Sequence, residues 1–245
     1  MNTAMLTPAR TVTADMLAPL PAPVQRYLTY SGVVGQPWID TVAIQYKGKF
    51  RLGADKPWMS IRVHQFYTTH SPGFLWKARF SMAGLPILTA VDTYRDGHGR
   101  MLGKAAGLFT VVDGSGEKID LGTMTRYLQE ISWFPAAYLS DYITWTAVDD
   151  HSADVTLTAY GKQVSARMFF DDEGRPLSFI ARRWGDFNGN ARLETWTAPT
   201  YEYRRMAGLN LPVRGEAVWH LPEGDLAYID IELTDVAYNV EIPAF

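Results

Sequence analysis

The segment DLGTMTRYLQEISWFPAAYLSD, residues 120–141, decides how the rest of this chain is interpreted. It contains four large apolar residues at spacings of three, four and three, the pattern of one face of an α-helix. These residues are Leu121, Met124, Leu128 and Ile131. Because the flanking segments have the two-residue period of strands, we predict a helical insert at residues 120–140 whose apolar stripe is covered by a sheet.

Local sequence also predicts where this insert begins and breaks. Asp120 is a candidate N-cap, because its carboxylate can accept hydrogen bonds from free N–H groups of the first turn. Pro135 disfavours helical backbone at the preceding residue, so the first helix is predicted to end near Trp133. Pro135 also suits the first turn of a second short helix that runs through Leu139.

Alternation of apolar and polar side chains predicts five strands before the insert and seven after it. Short turns rich in Gly, Asp, Asn and Pro connect these strands, so consecutive strands are predicted to pair antiparallel. The predicted fold class is α+β and mainly antiparallel β. We expect a single curved sheet of about 10–12 strands, a half-barrel or incomplete barrel, packed on the helical insert and on short N-terminal helices. A closed lipocalin-like barrel is the alternative.

No Pro-, Gly- or Ser-rich linker and no internal repeat divides the 245 residues. We therefore predict a flexible tail at residues 1–12 and one β-rich domain at residues 13–245 that contains the insert. A domain of this size can bury a sizeable core without disulfides.

Composition excludes several classes of function. The net charge of −3 gives no reason to expect nucleic acid or an anionic membrane surface as a partner. The chain has no cysteine, so thiolate metal sites and a cysteine nucleophile are excluded. Residues 1–10 lack the pattern of a signal peptide, and no apolar run approaches the ~18 residues of a membrane span. We expect a cytoplasmic protein without an integral membrane segment, whose oligomeric state the sequence leaves open.

Five segments together resemble an uncharacterised bacterial family of domains of unknown function. They are LPAPVQRYLTYSGVVG at 20–35, DGHGRM at 96–101, WFP at 133–135, FDDEG at 170–174 and WHLPEGD at 219–225. The resemblance covers about residues 18–239, and it implies no catalytic residues. The predicted strand layout is also similar to the half-barrel of bacterial lipoprotein carriers, which hold acyl chains, but fold alone does not determine function.

Charged residues on apolar strand faces are the candidates for catalysis, because a buried charge requires a partner or a role. Arg182 lies on the same strand face as Trp184, and Glu194 on the same face as Trp196. A carboxylate between aromatic rings has a raised pKa, as a general acid or base needs. The catalytic candidates are Arg182, Glu194, Glu216, His220 and Asp92. The alternative is that these residues form structural Arg–Glu pairs on a solvated convex face.

Five further residues are candidate ligand contacts: Trp133, Trp184, Trp196, Tyr94 and Arg79. We expect an apolar cavity between the central helices and the concave sheet, lined by Trp133 and Trp196. Arg79 is also placed to form a structural ion pair with Asp92 across neighbouring strands.

No metal or cofactor is predicted. Two groups contain residue types that bind metals, and turn geometry explains both of them: Asp92, Asp96 and His98, and His220, Glu223 and Asp225. The chain also lacks a phosphate-binding loop and a Gly-x-Ser-x-Gly nucleophile motif.

Three functions therefore remain open. The first is binding of a hydrophobic small molecule or lipid-like acyl chain in a concave cavity. The second is a cofactor-independent lyase, isomerase or hydrolase that acts on a hydrophobic substrate with a buried Glu or Asp and a His or Arg. The third is an interaction scaffold without a small ligand.

Overall fold

A computed structural model describes residues 10–187 and 189–245, and in these residues thirteen antiparallel strands form one sheet. The strands are β1 Thr41–Phe50, β2 Met59–Thr68, β3 Gly73–Met82, β4 Leu85–Arg95, β5 His98–Ala105, β6 Phe109–Ser115, β7 Ile143–Asp149, β8 Ser152–Ala159, β9 Lys162–Phe170, β10 Pro176–Phe187, β11 Asn190–Met206, β12 Leu209–Leu221 and β13 Gly224–Tyr238. Their order across the sheet is β6-β5-β4-β3-β2-β1-β13-β12-β11-β10-β9-β8-β7.

Two meanders make up this sheet. Short turns pair each strand with the next within β1–β6, which we call the first arm, and within β7–β13, which we call the second arm. The arms join where β1 pairs with β13, with Val42 opposite Tyr238 and Phe50 opposite Ile229. Strands β6 and β7 are therefore the two outer edges, and the sheet is open rather than a closed barrel.

This topology determines the position of the helical insert. The chain leaves the sheet at one edge, after β6, and returns at the opposite edge, before β7. The intervening segment must cross the sheet, and it does so over the concave face. It contains helix α2, Glu117–Glu130, and two 3₁₀ turns, Ile131–Trp133 and Pro135–Leu139.

The predicted helical insert is confirmed, but its start and its N-cap differ from the prediction. Helix α2 begins three residues before the predicted start, with Gly116 at the N-cap position. Asp120 is therefore not the cap, and its carboxylate instead accepts the backbone N–H of Gly99 at 2.7 Å. Met124 and Leu128 are fully buried, as the apolar stripe predicts. Near the N-terminus a 3₁₀ turn, Ala14–Met16, precedes helix α1, Ala22–Ser31.

The curved antiparallel sheet is confirmed, but the first arm has six strands rather than five. The strand that sequence alone did not predict is β6, which lies at residues 109–115. Most of its side chains are exposed because it is an edge strand, so it lacks the alternation that identifies half-buried strands. The segment also contains Asp113 and Gly114, and because Asp and Gly are uncommon in strands, its composition is typical of a loop.

Within the second arm, a tight turn sets the register of β11 against β12. Ala207 and Gly208 both have positive φ, 46° and 87°, which closes a two-residue hairpin turn between the strands. A longer loop, from Arg204 to Gly208, would bring Trp196 opposite Glu216. The short turn instead places Trp196 opposite Trp219.

Residues 1–9 of the predicted tail lie outside the described residues. Thr11 forms a β-bridge with Pro37, and Val12 is buried. Among the residues that the structure describes, no helix has both the length and the apolar character needed to cross a membrane.

Candidate functional site

Hairpin turns at one end of the sheet form what we call the upper rim. They include the β1–β2, β3–β4, β5–β6, β10–β11 and β12–β13 turns, which the antiparallel pairing brings to this end. Helix α2 crosses the concave face below this rim and divides it into an upper and a lower half. At Gly122 the helix approaches β10 so closely that a Cβ atom would lie 2.8 Å from the carbonyl oxygen of Trp184. Backbone contact therefore holds α2 against the second arm.

The lower half of the concave face is filled by side chains of the chain itself. Tyr67 and Phe134 are fully buried there, with ring centroids 4.7 Å apart. Trp133 is also buried, and its Nε1 donates a hydrogen bond to the carbonyl oxygen of Pro212 at 3.0 Å. A crevice beside β10 and β11 has a volume of about 10 Å³, roughly the space of one water molecule. The predicted cavity around Trp133 is therefore wrong, because the helical insert occupies that space.

The upper half carries a continuous series of aromatic rings from β3 to β10. Centroids of neighbouring rings are between 5.1 Å and 6.4 Å apart. We call this series the aromatic ladder, and its members are Phe80, Phe50, Tyr228, Trp219, Phe187 and Trp196. Phe50, Tyr228 and Phe187 are partly exposed. The ladder thus offers apolar ring surface that the protein does not itself cover.

Arg183 lies at the lower edge of the aromatic ladder. Its guanidinium carbon is 4.8 Å from the ring centroid of Trp196 and 5.3 Å from that of Trp219. Its Nε donates to the carbonyl oxygen of Gly122 at 2.9 Å, and its Nη1 donates to the hydroxyl of Tyr228 at 3.2 Å. Within the described residues no carboxylate lies within 4.0 Å of this side chain. Glu194 lies opposite Arg183 in the register of β10 and β11, but its carboxylate is not within this distance. The charge of Arg183 therefore faces the upper concave face without a salt bridge.

A second guanidinium, that of Arg126 on α2, belongs to a buried ionic cluster. Its Nε donates to Glu130 at 2.7 Å, and its Nη1 donates to Asp92 at 3.1 Å. Glu130 also accepts hydrogen bonds from Gln65 at 2.8 Å and from the hydroxyl of Tyr67 at 3.1 Å. Burial disfavours the charge of Arg126, yet the two carboxylates raise its pKa above the ordinary value. The cluster thus joins α2 to β2 and β4 through charges that compensate each other.

Asp92 has a perturbed pKa in this cluster. Burial of the carboxyl group raises its pKa from 3.8 to about 6, although the positive charges of Arg126 and Arg183 oppose the shift. Since the pKa in the folded protein exceeds that in the unfolded chain, folding favours the protonated form. The resulting stabilisation is fully present below pH 3.8 and is lost as the pH rises through 6.

We expect Asp92→Asn to remove this pH dependence. The free energy of unfolding of the wild-type protein should fall relative to that of the variant between pH 4 and 7, by roughly 2–3 kcal/mol for a shift of two pKa units. Urea denaturation of both proteins across this range measures the difference. Parallel stability profiles for the two proteins would contradict the assignment of a raised pKa to Asp92.

The structure does not bring the predicted catalytic residues together. Arg182, Glu216 and His220 lie on the convex face, whereas Glu194 and Asp92 lie on the concave face. Glu194 is 3.5 Å from Nε of Arg192, so its carboxylate has an ionic partner. With Trp196 opposite Trp219, Glu216 and His220 of β12 lie on the opposite face of the sheet from Glu194.

His220 has a geometry that resembles a catalytic triad. Its Nε2 is 2.9 Å from Oγ1 of Thr197, and its Nδ1 is 2.8 Å from Oδ1 of Asp225. These three side chains lie on the open convex face. At Thr197 strand β11 is paired on both sides, with β10 and with β12. The backbone amides around Thr197 therefore belong to the sheet, where they cannot form an oxyanion hole. The geometry supports a surface hydrogen-bond network.

Four of the five predicted ligand contacts lie away from the aromatic ladder, and one of them is Trp133 in the packed lower half. Arg79 is on the convex face, opposite Arg62 and Thr89, so the predicted Arg79–Asp92 pair is wrong. Trp184 is also on the outer side of its strand, where its ring packs 4.7 Å from the ammonium group of Lys118. Tyr94 faces inward but is fully buried, and burial raises its pKa. Trp196 alone of the five belongs to the aromatic ladder.

An open cleft with a volume of about 500 Å³ lies outside the concave face, where α2 begins. Its lining residues are Thr93, Arg95, Asp96, His98, Gly99, Arg100, Ser115, Gly116 and Asp120. Asp120 pairs with Lys162 at 2.7 Å, and Arg100 with Asp113 at 3.2 Å. Because the charges of the cleft are largely paired with one another, it offers no free charge to an ionic ligand.

Arg183 and Arg126 are not among the candidates that sequence patterns select. Arg183 shares its strand face with Phe179, Ala181 and Phe187. A charged residue among apolar neighbours was the criterion that selected Arg182, and Arg183 meets the same criterion. Arg126 lies beside the apolar stripe of α2, where a solvated position is the ordinary expectation. Its burial depends on how far the two arms curve around the helix.

Comparisons with known proteins concern the family and the fold. A family model described as "Family of unknown function (DUF6544)" matches residues 10–231, which agrees with the resemblance found in the sequence. No curated protein matches the chain. A DUF1329 family protein from Desulfovibrio piger has a similar structure, with 11% sequence identity, a TM-score of 0.51 and 96% of each chain covered. For a LolA superfamily protein from Nitrosomonas europaea the identity is 11% and the TM-score 0.47, with 95% of this chain and 96% of that chain covered.

Proposed function

We propose, from the premise that this chain belongs to the DUF6544 family of unknown function, that its upper concave face binds an amphipathic small molecule. The ligand has an apolar body, such as an acyl chain or a ring system, and an anionic group. The apolar body lies against the aromatic ladder, and the anionic group pairs with Arg183.

The observation that carries this proposal is the unpaired guanidinium beside partly exposed rings. A partly buried arginine without a carboxylate is costly to retain, because its desolvation is not offset by an ionic partner. Its two fixed hydrogen bonds, to Gly122 and Tyr228, orient the guanidinium and leave Nη2 for a ligand. Arginine suits this role since its planar fork matches a carboxylate or phosphate group.

The packed lower half restricts the ligand to the upper half. An acyl chain there would cover Phe50, Tyr228 and Phe187, and burial of apolar surface contributes roughly 25 cal/mol per Å². Binding is favoured over catalysis because Asp92 and Glu194, the two predicted catalytic carboxylates on the concave face, both have arginine partners. A general base needs a carboxylate that is free to take a proton from its substrate.

Titration with dodecanoate and with dodecanol, monitored by tryptophan fluorescence, tests the proposal. We expect Arg183→Met to weaken dodecanoate binding by roughly 10- to 100-fold, the loss of one charge-assisted hydrogen-bonded contact. Dodecanol binding should change little, because the alcohol has no charge to pair. Arg182→Met is the matched control, since this residue is adjacent in sequence but lies on the convex face.

Two outcomes would contradict the proposal. Equal loss of dodecanoate binding in Arg182→Met and Arg183→Met would mean that the effect is not specific to the concave face. Failure of the wild-type protein to bind either molecule would favour the third function considered above, a scaffold without a small ligand. Circular dichroism of each variant establishes that it is folded.

A further inference from the structure

Charge is unevenly distributed along this chain. The first arm, residues 41–115, contains ten Lys or Arg residues and four Asp residues, a net charge of +6. The whole chain has a net charge of −3, so the remaining residues carry −9. A net charge close to zero thus conceals a basic first arm and an acidic remainder.

The basic side chains of the first arm cover its convex face. Alternation along β1, β2, β3 and β5 directs them outward, and they are Lys47, Lys49, Arg62, Lys77, Arg79, Arg100 and Lys104. Five of them have no carboxylate within 4.0 Å in the part of the chain that the structure describes: Lys49, Arg62, Lys77, Arg79 and Lys104. We call these seven residues the basic face.

Apolar side chains project from the upper rim of the same arm. Leu108, in the β5–β6 turn, is 78% exposed, and Phe109, which follows it as the first residue of β6, is 71% exposed. Leu85, the first residue of β4 after the β3–β4 turn, is 69% exposed, and Leu52, in the β1–β2 turn, is 68% exposed. Surface residues of this size are ordinary when single, but three neighbouring turns that each carry one mark an interaction surface. We call these four residues the apolar tips.

We propose that the first arm docks on a membrane surface rich in anionic lipids, with the apolar tips inserted at the interface and the basic face against the headgroups. Apolar side chains beside lysine and arginine are what an anionic bilayer surface attracts, through burial and through electrostatics. Charge complementarity excludes the second arm from the contact, since its rim carries Asp186, Glu223 and Asp225. The docked protein is therefore tilted onto its first arm.

This inference is independent of the ligand proposed above, although the apolar tips border the concave face that would hold it. Sedimentation with phosphatidylglycerol vesicles at low ionic strength tests docking without any added ligand. We expect the wild-type protein to pellet with these vesicles and not with phosphatidylcholine vesicles. Raised salt should release it, because screening weakens contacts between exposed charges and headgroups.

Substitutions test the apolar tips and the basic face separately. Leu108→Asp with Phe109→Asp, and separately Lys77→Glu with Arg79→Glu, should each lower the vesicle-bound fraction at least tenfold. The matched controls are Leu177→Asp and Arg205→Glu, at exposed positions near the opposite end of the sheet, and they should leave binding unchanged. All four positions in the test variants are exposed, so we expect the variants to fold normally.

Three outcomes would overturn the inference. The first is a wild-type protein that does not pellet with phosphatidylglycerol vesicles. The second is equal loss of binding in the test and control variants. The third is a dimer in sedimentation velocity that Leu108→Asp converts to a monomer, which would show that the apolar tips contact a second copy of the chain.

Discussion

Arg126→Met is expected to lower the free energy of unfolding by about 3–5 kcal/mol at neutral pH, the range found when one partner of a buried ion pair is removed. Arg126 donates to Asp92, Glu130 and Gln65 from the centre of the fold. Its loss leaves two buried carboxyl groups without a counter-charge, so each must be protonated or remain destabilising. Urea denaturation measures the change.

Two comparisons distinguish this cluster from an ordinary ion pair. Arg100→Met breaks the Arg100–Asp113 pair, whose side chains are largely exposed, and should cost no more than about 1 kcal/mol. Adding Asp92→Asn and Glu130→Gln to Arg126→Met should restore much of the lost stability, because no buried charge then remains. A loss below about 1 kcal/mol in Arg126→Met alone would show that water reaches the cluster.

Leu128→Ala is expected to destabilise the protein by about 2–5 kcal/mol, as is usual for leucine to alanine in a packed core. Leu128 is fully buried on the apolar stripe of α2, beneath which the rings of the lower half leave little free space. The surrounding side chains cannot collapse into the vacated volume without moving α2. Thermal and urea denaturation should agree on the loss, since the helix and the sheet share one core.

The exposed leucine of β10 provides the control for this change. Leu177→Ala removes the same atoms from a position that is 46% exposed, so it should alter stability by less than about 0.5 kcal/mol. If Leu128→Ala were equally mild, α2 would be loosely attached to the concave face. The assignment of a packed lower half and an open upper half would then be wrong.

That division of the concave face connects the fold to the proposed function. The insert fills the lower half because the chain must pass from one edge of the open sheet to the other. It leaves the aromatic ladder above α2 only partly covered, and Arg183 is held there by hydrogen bonds to α2 and β13. The proposed ligand site is thus a surface above the helix rather than a cavity beneath it.

Charge segregation has a similar relation to the fold. The net charge of −3 for the whole chain gave no reason to expect an anionic surface as a partner. Because β1–β6 are consecutive in sequence and adjacent in space, seven of the ten basic residues of the first arm lie together on one convex face. The proposed docking surface therefore follows from the charge of the first arm and not from the net charge of the chain.

The sequence by itself determined the elements and most of their order. The stripe Leu121, Met124, Leu128 and Ile131 located a buried helix, and alternation with short turns predicted an open antiparallel sheet. These features are encoded within a few residues, since a helix or a strand repeats its buried positions every 3.6 or 2 residues. Edge strand β6 was not predicted, because its side chains are solvated on both faces and carry no such period.

Only the tertiary structure decided which faces of the strands and of α2 pack against each other. Arg126 pairs with Asp92 across 34 residues of sequence, and Arg183 contacts Tyr228 across 45. Alternation identifies two faces for each strand but does not say which is concave, and one residue in the length of a turn changes every cross-strand partner. The candidate acids and bases were therefore chosen from both faces, whereas the unpaired Arg183 emerged only once the two arms had closed around α2.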